Sequence, residues 1–292
     1  MGRRPDPAGD VRLDDPDEVE PASYRVRKWV LQQVTRPSRE QLHRIGEVDW
    51  DVLLVLDACR YDAFTDIVDV AAEPLRTHAS ATPQWLRTIH DEGLFDGVTI
   101  VTGNPQYEKV ERSFDGSQVQ YVYETDWNGR LGTVLPTPVL DGVDAALADG
   151  GAPVVGHLVQ PHWPYIQRFG DVWVPAMNAR GIGVVGRSAQ VAMANGRFDP
   201  GTARRAYRAC IRSVWEVVAS RIGDLAERGY TIAVTADHGE VFGRPGDGWL
   251  YEHPSRVHIR SLTEVPWLTI ASGDEVSVDA ETEAKLEALG YS

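Results

Sequence analysis

The sequence predicts an α/β protein organised around a parallel sheet, and three observations carry that prediction. Short apolar runs at 50–56, 97–102, 153–159 and 231–236 have the length and β-branched content of buried strands. A long amphipathic segment at 203–228 places Tyr207, Ile211, Val214, Val218, Ile222 and Leu225 on one helical face and stops at Gly229. Three of the strand runs also give way directly to chemistry: Asp57 follows the first, His162 follows 153–159, and Asp237-His238-Gly239-Glu240 follows the last. In α/β sheets the carboxyl ends of the strands are where ligands bind.

A chain of 292 residues with 42% apolar residues and nine tryptophans can bury a large core, as one large domain or two small ones. No apolar run approaches the ~20 residues of a membrane span, and no signal peptide precedes the acidic start, so a cytoplasmic protein is the expectation. The net charge of −14 weighs against nucleic-acid partners and against general attraction to anionic membranes. Cys59 and Cys210 are the only cysteines, which leaves no disulfide framework and no thiolate zinc site. Only three lysines (Lys28, Lys109, Lys285) occur in this acidic chain, a pattern that suggests adaptation to high salt. Stability followed from dilute buffer to molar salt tests that idea, and a maximum in dilute buffer would count against it.

Taken in order, residues 1–22 combine Pro5, Pro7, Pro16 and Pro21 with many acidic residues and are expected to form a disordered tail. Residues 23–48 read as an N-terminal helical segment. Within it Tyr24, Trp29, Val30 and Val34 lie among Arg25, Arg27, Lys28 and Arg36, as in a basic amphipathic helix. Such a helix most often packs on its own domain, and contact with a membrane surface is the alternative. The run 50–56 reads as a central strand. Asp57 at its end either caps the next helix or ligates a cation; a second strand ending in Asp237 favours a shared cation. Cys59 has no neighbour that would lower its pKa and reads as packing.

Pro83 suits the first position of a helix, which puts Thr82 at the N-cap among unpaired backbone N–H groups. An ordinary cap and a metal-activated nucleophile are both open readings of this threonine. Asn104 follows the strand 97–102, Val119, Tyr121 and Tyr123 alternate as in a strand or hairpin, and a helix is expected near 139–147. Pro161 and Pro164 stiffen the loop that carries His162, which by itself is either structural or a ligand. Residues 166–200 show weak periodicity and are expected to form a lid or binding loop. Residues 242–250 read as a glycine-rich loop. His253 follows His238 by fifteen residues, close enough to return to the same edge, whereas His258 reads as structural. A last strand at 265–271 and a charged helix at 281–289 close the chain.

Together, Asp57 after a hydrophobic strand, Thr82-Pro83, Pro161-His162-Trp163-Pro164-Tyr165, Asp237-His238-Gly239-Glu240, His253-Pro254 and the ending Leu289-Gly290-Tyr291 resemble sulfatase-like members of the alkaline phosphatase superfamily. The resemblance runs from about residue 49 to the C-terminus and implies a catalytic domain at 49–292. It implies an alkaline-phosphatase-like fold, a doubly wound mixed sheet sandwiched between helices. It also implies attack on a phosphate or sulfate ester through a covalent intermediate. Asp57, Thr82, Asp237 and His238 would hold one metal, with Thr82 as nucleophile. His162 and His253 match positions that bind a second metal or the substrate oxyanion in phosphoethanolamine-transferase-like relatives. Zinc and manganese both suit such donors, as one ion or two.

The chain departs from the family at one place. Arylsulfatases need Cys or Ser in a Cys/Ser-X-Pro-X-Arg setting, and alignment on Pro83 puts Ala81 and Trp85 at those positions. Phosphate mono- or diester hydrolysis, or transfer of a phosphoryl-linked group, is therefore expected, with Ser80 as the fallback nucleophile. A sulfate-ester hydrolase without formylglycine and a non-catalytic metal-dependent module that binds an anionic glycan or lipid headgroup are the alternatives. Arg60, Asn104 and His162 are the candidate substrate-binding residues. Membrane-embedded relatives carry N-terminal transmembrane helices and this sequence shows none, which disfavours a lipid-modifying transferase outside the cell.

Overall fold

A computed structural model describes residues 20–110, 117–151, 153–177, 193, 194, 196 and 198–271. The expected C-terminal helix at 281–289 lies outside these residues, as do nearly all of the expected acidic tail and much of the 166–200 segment. Two helices open the described chain, α1 (Ala22–Val34) and α2 (Glu40–Glu47). They are followed by β1 (Val52–Asp57), α3 (Tyr61–Thr65), β2 (Glu73–Arg76), α4 (Thr82–Asp91), β3 (Thr99–Thr102) and β4 (Gln118–Tyr121). Two short strands, β5 (Trp127–Asn128) and β6 (Thr133–Val134), precede α5 (Pro136–Ala148) and β7 (Val154–Pro161). After β8 (Ile166–Phe169) and β9 (Val172–Pro175) come the long α6 (Pro200–Glu227) and β10 (Ile232–Ala236). The described chain ends with β11 (Val241–Phe242), β12 (Tyr251–Glu252), α7 (Arg260–Thr263) and β13 (Glu264–Ile270).

Seven strands form the central sheet in the order β2-β13-β10-β1-β7-β3-β4. The five strands from β10 to β4 are parallel; β13 pairs antiparallel with both β10 and β2, so the sheet is mixed. All six residues of β1 are buried, as a central strand covered on both faces requires. Its side chains alternate between two cores. Val52, Leu54 and Leu56 pack with Val139 and Leu140 of α5 and Tyr207 and Val214 of α6. Leu53 and Val55 pack on the other face with Leu42 of α2 and Trp85 and Leu86 of α4. The sheet is thus sandwiched between helices, as expected.

Three expectations need correction. Residues 166–177 are not a featureless loop, because β8 and β9 form an antiparallel hairpin. The alternation at 117–124 ends after β4, where Val122–Glu124 tightens into a 3-10 turn. Thr82 is the first helical residue of α4 and Ala81 is its N-cap. The backbone N–H groups next to Thr82 are also not free: Pro83 has none, and those of Gln84 and Trp85 donate to Ala81 O at 3.0 and 3.1 Å.

Candidate functional site

The strands β1, β10 and β7 lie side by side, so the polar residues that follow them meet at one edge. β1 and β10 stay in register to Leu56 opposite Ala236, which makes Asp57 and Asp237 neighbours one step further on. Between them the backbone turns sharply, with Ala58 at φ 61, a left-handed conformation that a residue with a Cβ adopts at a cost of about 1 kcal/mol. This turn aims the Ala58 N–H at Asp237 Oδ1 (3.0 Å), and the His238 N–H donates to the same oxygen (2.9 Å). Asp237 Oδ2 is left buried with no hydrogen-bond partner. Asp57 is divided in the same way: Oδ2 accepts from Asn104 Nδ2 at 2.6 Å, and Oδ1 is buried and unpartnered.

His238 completes the cluster. Its Nδ1 lies 2.8 Å from Gly239 O, and a carbonyl can only accept, so Nδ1 carries the proton and Nε2 offers a lone pair. Burial, then the neighbouring His253, press its pKa well below the ordinary histidine value and keep the ring neutral. Nε2 lies 3.4 Å from Asp237 Oδ2, 3.5 Å from Asp57 Oδ1 and 3.2 Å from Thr82 Oγ1. With a neutral ring, the carboxylate distances are contacts between acceptors, not ion pairs. Burial, then the Asp237 and Glu240 carboxylates, hold the Asp57 carboxyl well above its usual range. Two orphaned carboxylate oxygens and one imidazole lone pair converging away from water fit a divalent cation, which would satisfy all three.

A second cluster lies beside the first. His162, Glu240 and His253 each turn a potential ligand atom into a space within which these atoms lie no more than 4.8 Å apart. His162 Nδ1 donates to Trp163 O at 2.6 Å, which leaves its Nε2 as the acceptor. The rings of His238 and His253 stack at 4.7 Å, and those of His162 and His253 meet at 4.9 Å. Burial disfavours charge on His253, but Glu240, 3.6 Å away, outweighs it and raises the His253 pKa. Burial likewise works against the Glu240 carboxylate, and His253 brings its pKa below the ordinary value.

Both clusters sit below a cleft of about 420 Å³ lined by Asp57, Thr82, Asn104, His162, Trp163 and His253, with the half-exposed Trp127 also on its wall. Asn104 and His162, both expected to contact substrate, are on this cleft. Arg60 is not, which corrects that expectation. Its guanidinium grips Asp62 bidentately at 2.6 and 2.8 Å and reaches Asp247 Oδ1 (3.2 Å) and Glu240 O (3.1 Å). It faces a separate cleft with Arg244 and Arg260. Its stem instead supports the Asp-His-Gly-Glu turn, where a Cβ on Gly239 would lie 2.2 Å from Ser261 O. Ser80 is turned away as well, since its hydroxyl donates to Pro254 O at 2.8 Å.

Two residues at the site were not singled out from the sequence. Glu240 was read only as part of its motif, and its place after the Gly239 turn was the available signal. His157 is fully buried in β7, with Nδ1 3.0 Å from the Tyr107 hydroxyl and Nε2 3.9 Å from Asp237 Oδ2. A histidine inside the apolar run 153–159 was the signal there.

No family model matches the chain, and no curated protein matches it. Solved structures do. The integral membrane lipooligosaccharide phosphoethanolamine transferase A from Neisseria meningitidis matches with a TM-score of 0.51 at 14% identity, over 88% of this chain and 54% of that one. The soluble domain of that transferase matches with a TM-score of 0.50 at 14% identity, over 83% of this chain and 81% of that one. A phosphoglycerol transferase from Streptococcus pyogenes is more distant, at 0.46 and 10% identity over 91% and 79%. The chain spans about half the length of the full-length Neisseria protein. Among the described residues no helix is long and apolar enough to cross a membrane. The fold of this chain is thus similar to that of the phosphoethanolamine transferase structures.

Proposed function

We propose that this protein is a metal-dependent hydrolase or transferase of phosphate mono- or diesters that works through a covalent threonine intermediate. One observation carries the reading: Asp57 Oδ1, Asp237 Oδ2 and His238 Nε2 converge beside the Thr82 hydroxyl at the floor of an open cleft. Asp57, Asp237, His238 and Thr82 would hold one divalent cation, zinc or manganese. His162, Glu240 and His253 would hold a second, and the Glu240 carboxylate favours a cation over a bare substrate oxyanion at that place. Bound there, such ions supply Lewis-acid chemistry: they lower the hydroxyl pKa and draw charge from the phosphoryl oxygens.

The chain's own residues supply position. Asn104 fixes one oxygen of Asp57, and the Ala58 and His238 N–H groups fix one oxygen of Asp237, so that in each case the other oxygen faces the site. The Gly239 carbonyl sets the His238 tautomer. Thr82 Oγ1 attacks phosphorus, forming a Thr82 oxygen–phosphorus bond as the bond to the leaving oxygen breaks, and that oxygen takes up a proton. Water, or an acceptor alcohol, then attacks the same phosphorus and returns Thr82 to its hydroxyl form. Which of the two acceptors the cleft admits decides between hydrolysis and transfer. The fold shared with a phosphoethanolamine transferase supports phosphoester chemistry, and Ala81 and Trp85 in place of the formylglycine motif argue against aryl sulfates.

Metal analysis coupled to a panel of phosphate monoesters, phosphodiesters, phosphonates and sulfate esters tests the proposal. Bound zinc or manganese with turnover of phosphoesters, abolished by chelation, is expected. Faster turnover of aryl sulfates would make the protein a sulfatase without formylglycine. Tight binding of an anionic ester that stays intact in metal-replete protein would make it a binding module.

A further inference from the structure

Among the described residues, half of the exposed large apolar side chains lie on the outer face of α1. Viewed down the helix, Tyr24, Leu31 and Thr35 point inward. Leu31 packs beside the cluster of Tyr24, Val241, Leu250, Val257 and Leu262, and Thr35 Oγ1 accepts from the His258 N–H at 2.9 Å. The opposite face carries Val26, Trp29, Val30 and Val34, exposed by 61%, 61%, 41% and 66%. At 100° per residue these four fall within one stripe, interrupted by the exposed Gln33 and Ser23, with Arg25 on one margin and Arg27 on the other. Trp29 and Val26 stay mostly exposed, so burial against the described residues does not explain the stripe.

The charge is as distinctive as the apolarity. The chain carries 43 acidic residues, yet residues 21–39 contain none and hold Arg25, Arg27, Lys28, Arg36 and Arg39. Lys28 and Arg39 are paired with Glu20 and Glu92 at 2.6 and 2.8 Å. Arg25 and Arg27, the two that border the stripe, are exposed and have no ion-pair partner among the described residues. An apolar stripe with a tryptophan at one margin and arginines along both edges matches the interface of a bilayer, where the stripe enters the acyl boundary and long basic side chains reach back to anionic headgroups.

We infer that the outer face of α1 docks this protein on an anionic lipid surface. The overall negative charge opposes such contact at long range, but the segment that would touch the surface is locally basic, and screening confines the opposition to the rest of the molecule. Self-association through the same stripe is the less fitting use, because symmetric pairing brings arginine margins together. The helix is also tied to the rim of the candidate cleft. Gln32 Nε2 donates to Ser255 O (2.9 Å) and the Tyr24 hydroxyl donates to Tyr251 O (2.5 Å), while Ser255 and His253 line the cleft. Docking through α1 therefore sets the cleft at a fixed position relative to the lipid surface. The inference stands on α1 itself and holds whether or not the phosphoester reading does.

Co-sedimentation of the full chain tests it, using vesicles of phosphatidylcholine alone and of phosphatidylcholine with phosphatidylglycerol in equal parts. The protein is expected to partition onto the anionic vesicles and to stay in solution with the neutral ones. Combined Trp29→Gln and Val30→Gln should lower partitioning roughly 10-fold or more. Combined Arg25→Gln and Arg27→Gln should lower it roughly 30-fold at low salt and far less at high salt. Melting temperature and turnover of a soluble ester should be unchanged in both variants, which separates lost docking from lost folding. No partitioning of the wild type, or equal partitioning of the variants, overturns the inference. A concentration-dependent dimer that dissociates in the Trp29/Val30 variant, without vesicle binding, assigns the face to a second copy instead and also overturns it.

Discussion

The two histidine–carboxylate clusters share a stacked ring pair, yet they are built on different principles. The first, Asp57, Asp237 and His238, grows from the ends of adjacent central strands and is almost wholly buried. It contains two carboxylates and a neutral imidazole whose proton already belongs to a backbone carbonyl. It therefore has no cationic side chain to settle its charge, which only a proton on the Asp57 carboxyl would ease. The second, His162, Glu240 and His253, is carried by the segments after β7, β10 and β12, and His253 is a quarter exposed at its side chain. There Glu240 and His253 neutralise one another in part, as their opposed pKa shifts record. On the proposed reading the first cluster would gain more from a cation, because it holds two buried carboxylates with no cationic side chain among them, whereas the second can rest as an ion pair.

Asp237→Asn presses hardest on that distinction. It should remove the tightly held ion and lower turnover by roughly 10³-fold or more. In metal-free protein it should raise the melting temperature, because it relieves like-charge repulsion between buried carboxylates. A lower melting temperature in the absence of metal would break the comparison. His253→Gln and Glu240→Gln should each cost less, roughly 10–100-fold in turnover, and leave one equivalent of metal in place by elemental analysis. Loss of all metal from either variant would show that the clusters act as one.

Gly239→Ala probes the turn that joins the two clusters. The added Cβ would fall 2.2 Å from the Ser261 carbonyl oxygen, and unfolding in denaturant should show a loss of about 2–3 kcal/mol. The smallest effect is expected at His78, away from both clusters, where burial lowers the imidazole pKa to about 4. The unfolded chain binds this proton more readily, so His78 contributes stability that is intact above pH ~6.5 and is lost as pH falls toward 4. His78→Gln should flatten that part of the stability profile, and an unchanged slope would assign the acid sensitivity to other groups.

The first cluster was legible in the sequence because Asp57 ends one strand and Asp237 and His238 follow its neighbour, and strand ends in a parallel sheet must meet. Asp57, Asp237 and His238 needed only local patterns to be placed, whereas Thr82, expected at the N-cap, is the first helical residue of α4. The second cluster was half legible. His162 and His253 stood out as histidines, whereas Glu240 reaches its partners only because the 241–252 hairpin returns the chain to the same edge. Arg60 was misread because a cation just after a strand-end Asp looks like an anion receptor. Its true partners, Asp62 and Asp247, are set by a bidentate fork and a distant turn. The edge strand β2 escaped notice because Pro74 interrupts it and only Leu75 of its four residues is buried, which leaves no alternation to read.

Turnover of an aryl phosphate ester by metal-replete Thr82→Ala, set beside Thr82→Ser and Ser80→Ala, tests the central claim most directly. The account predicts roughly 10³-fold or greater loss in Thr82→Ala, substantial activity in Thr82→Ser, and little change in Ser80→Ala. Undiminished turnover by Thr82→Ala with its metal still bound would contradict it.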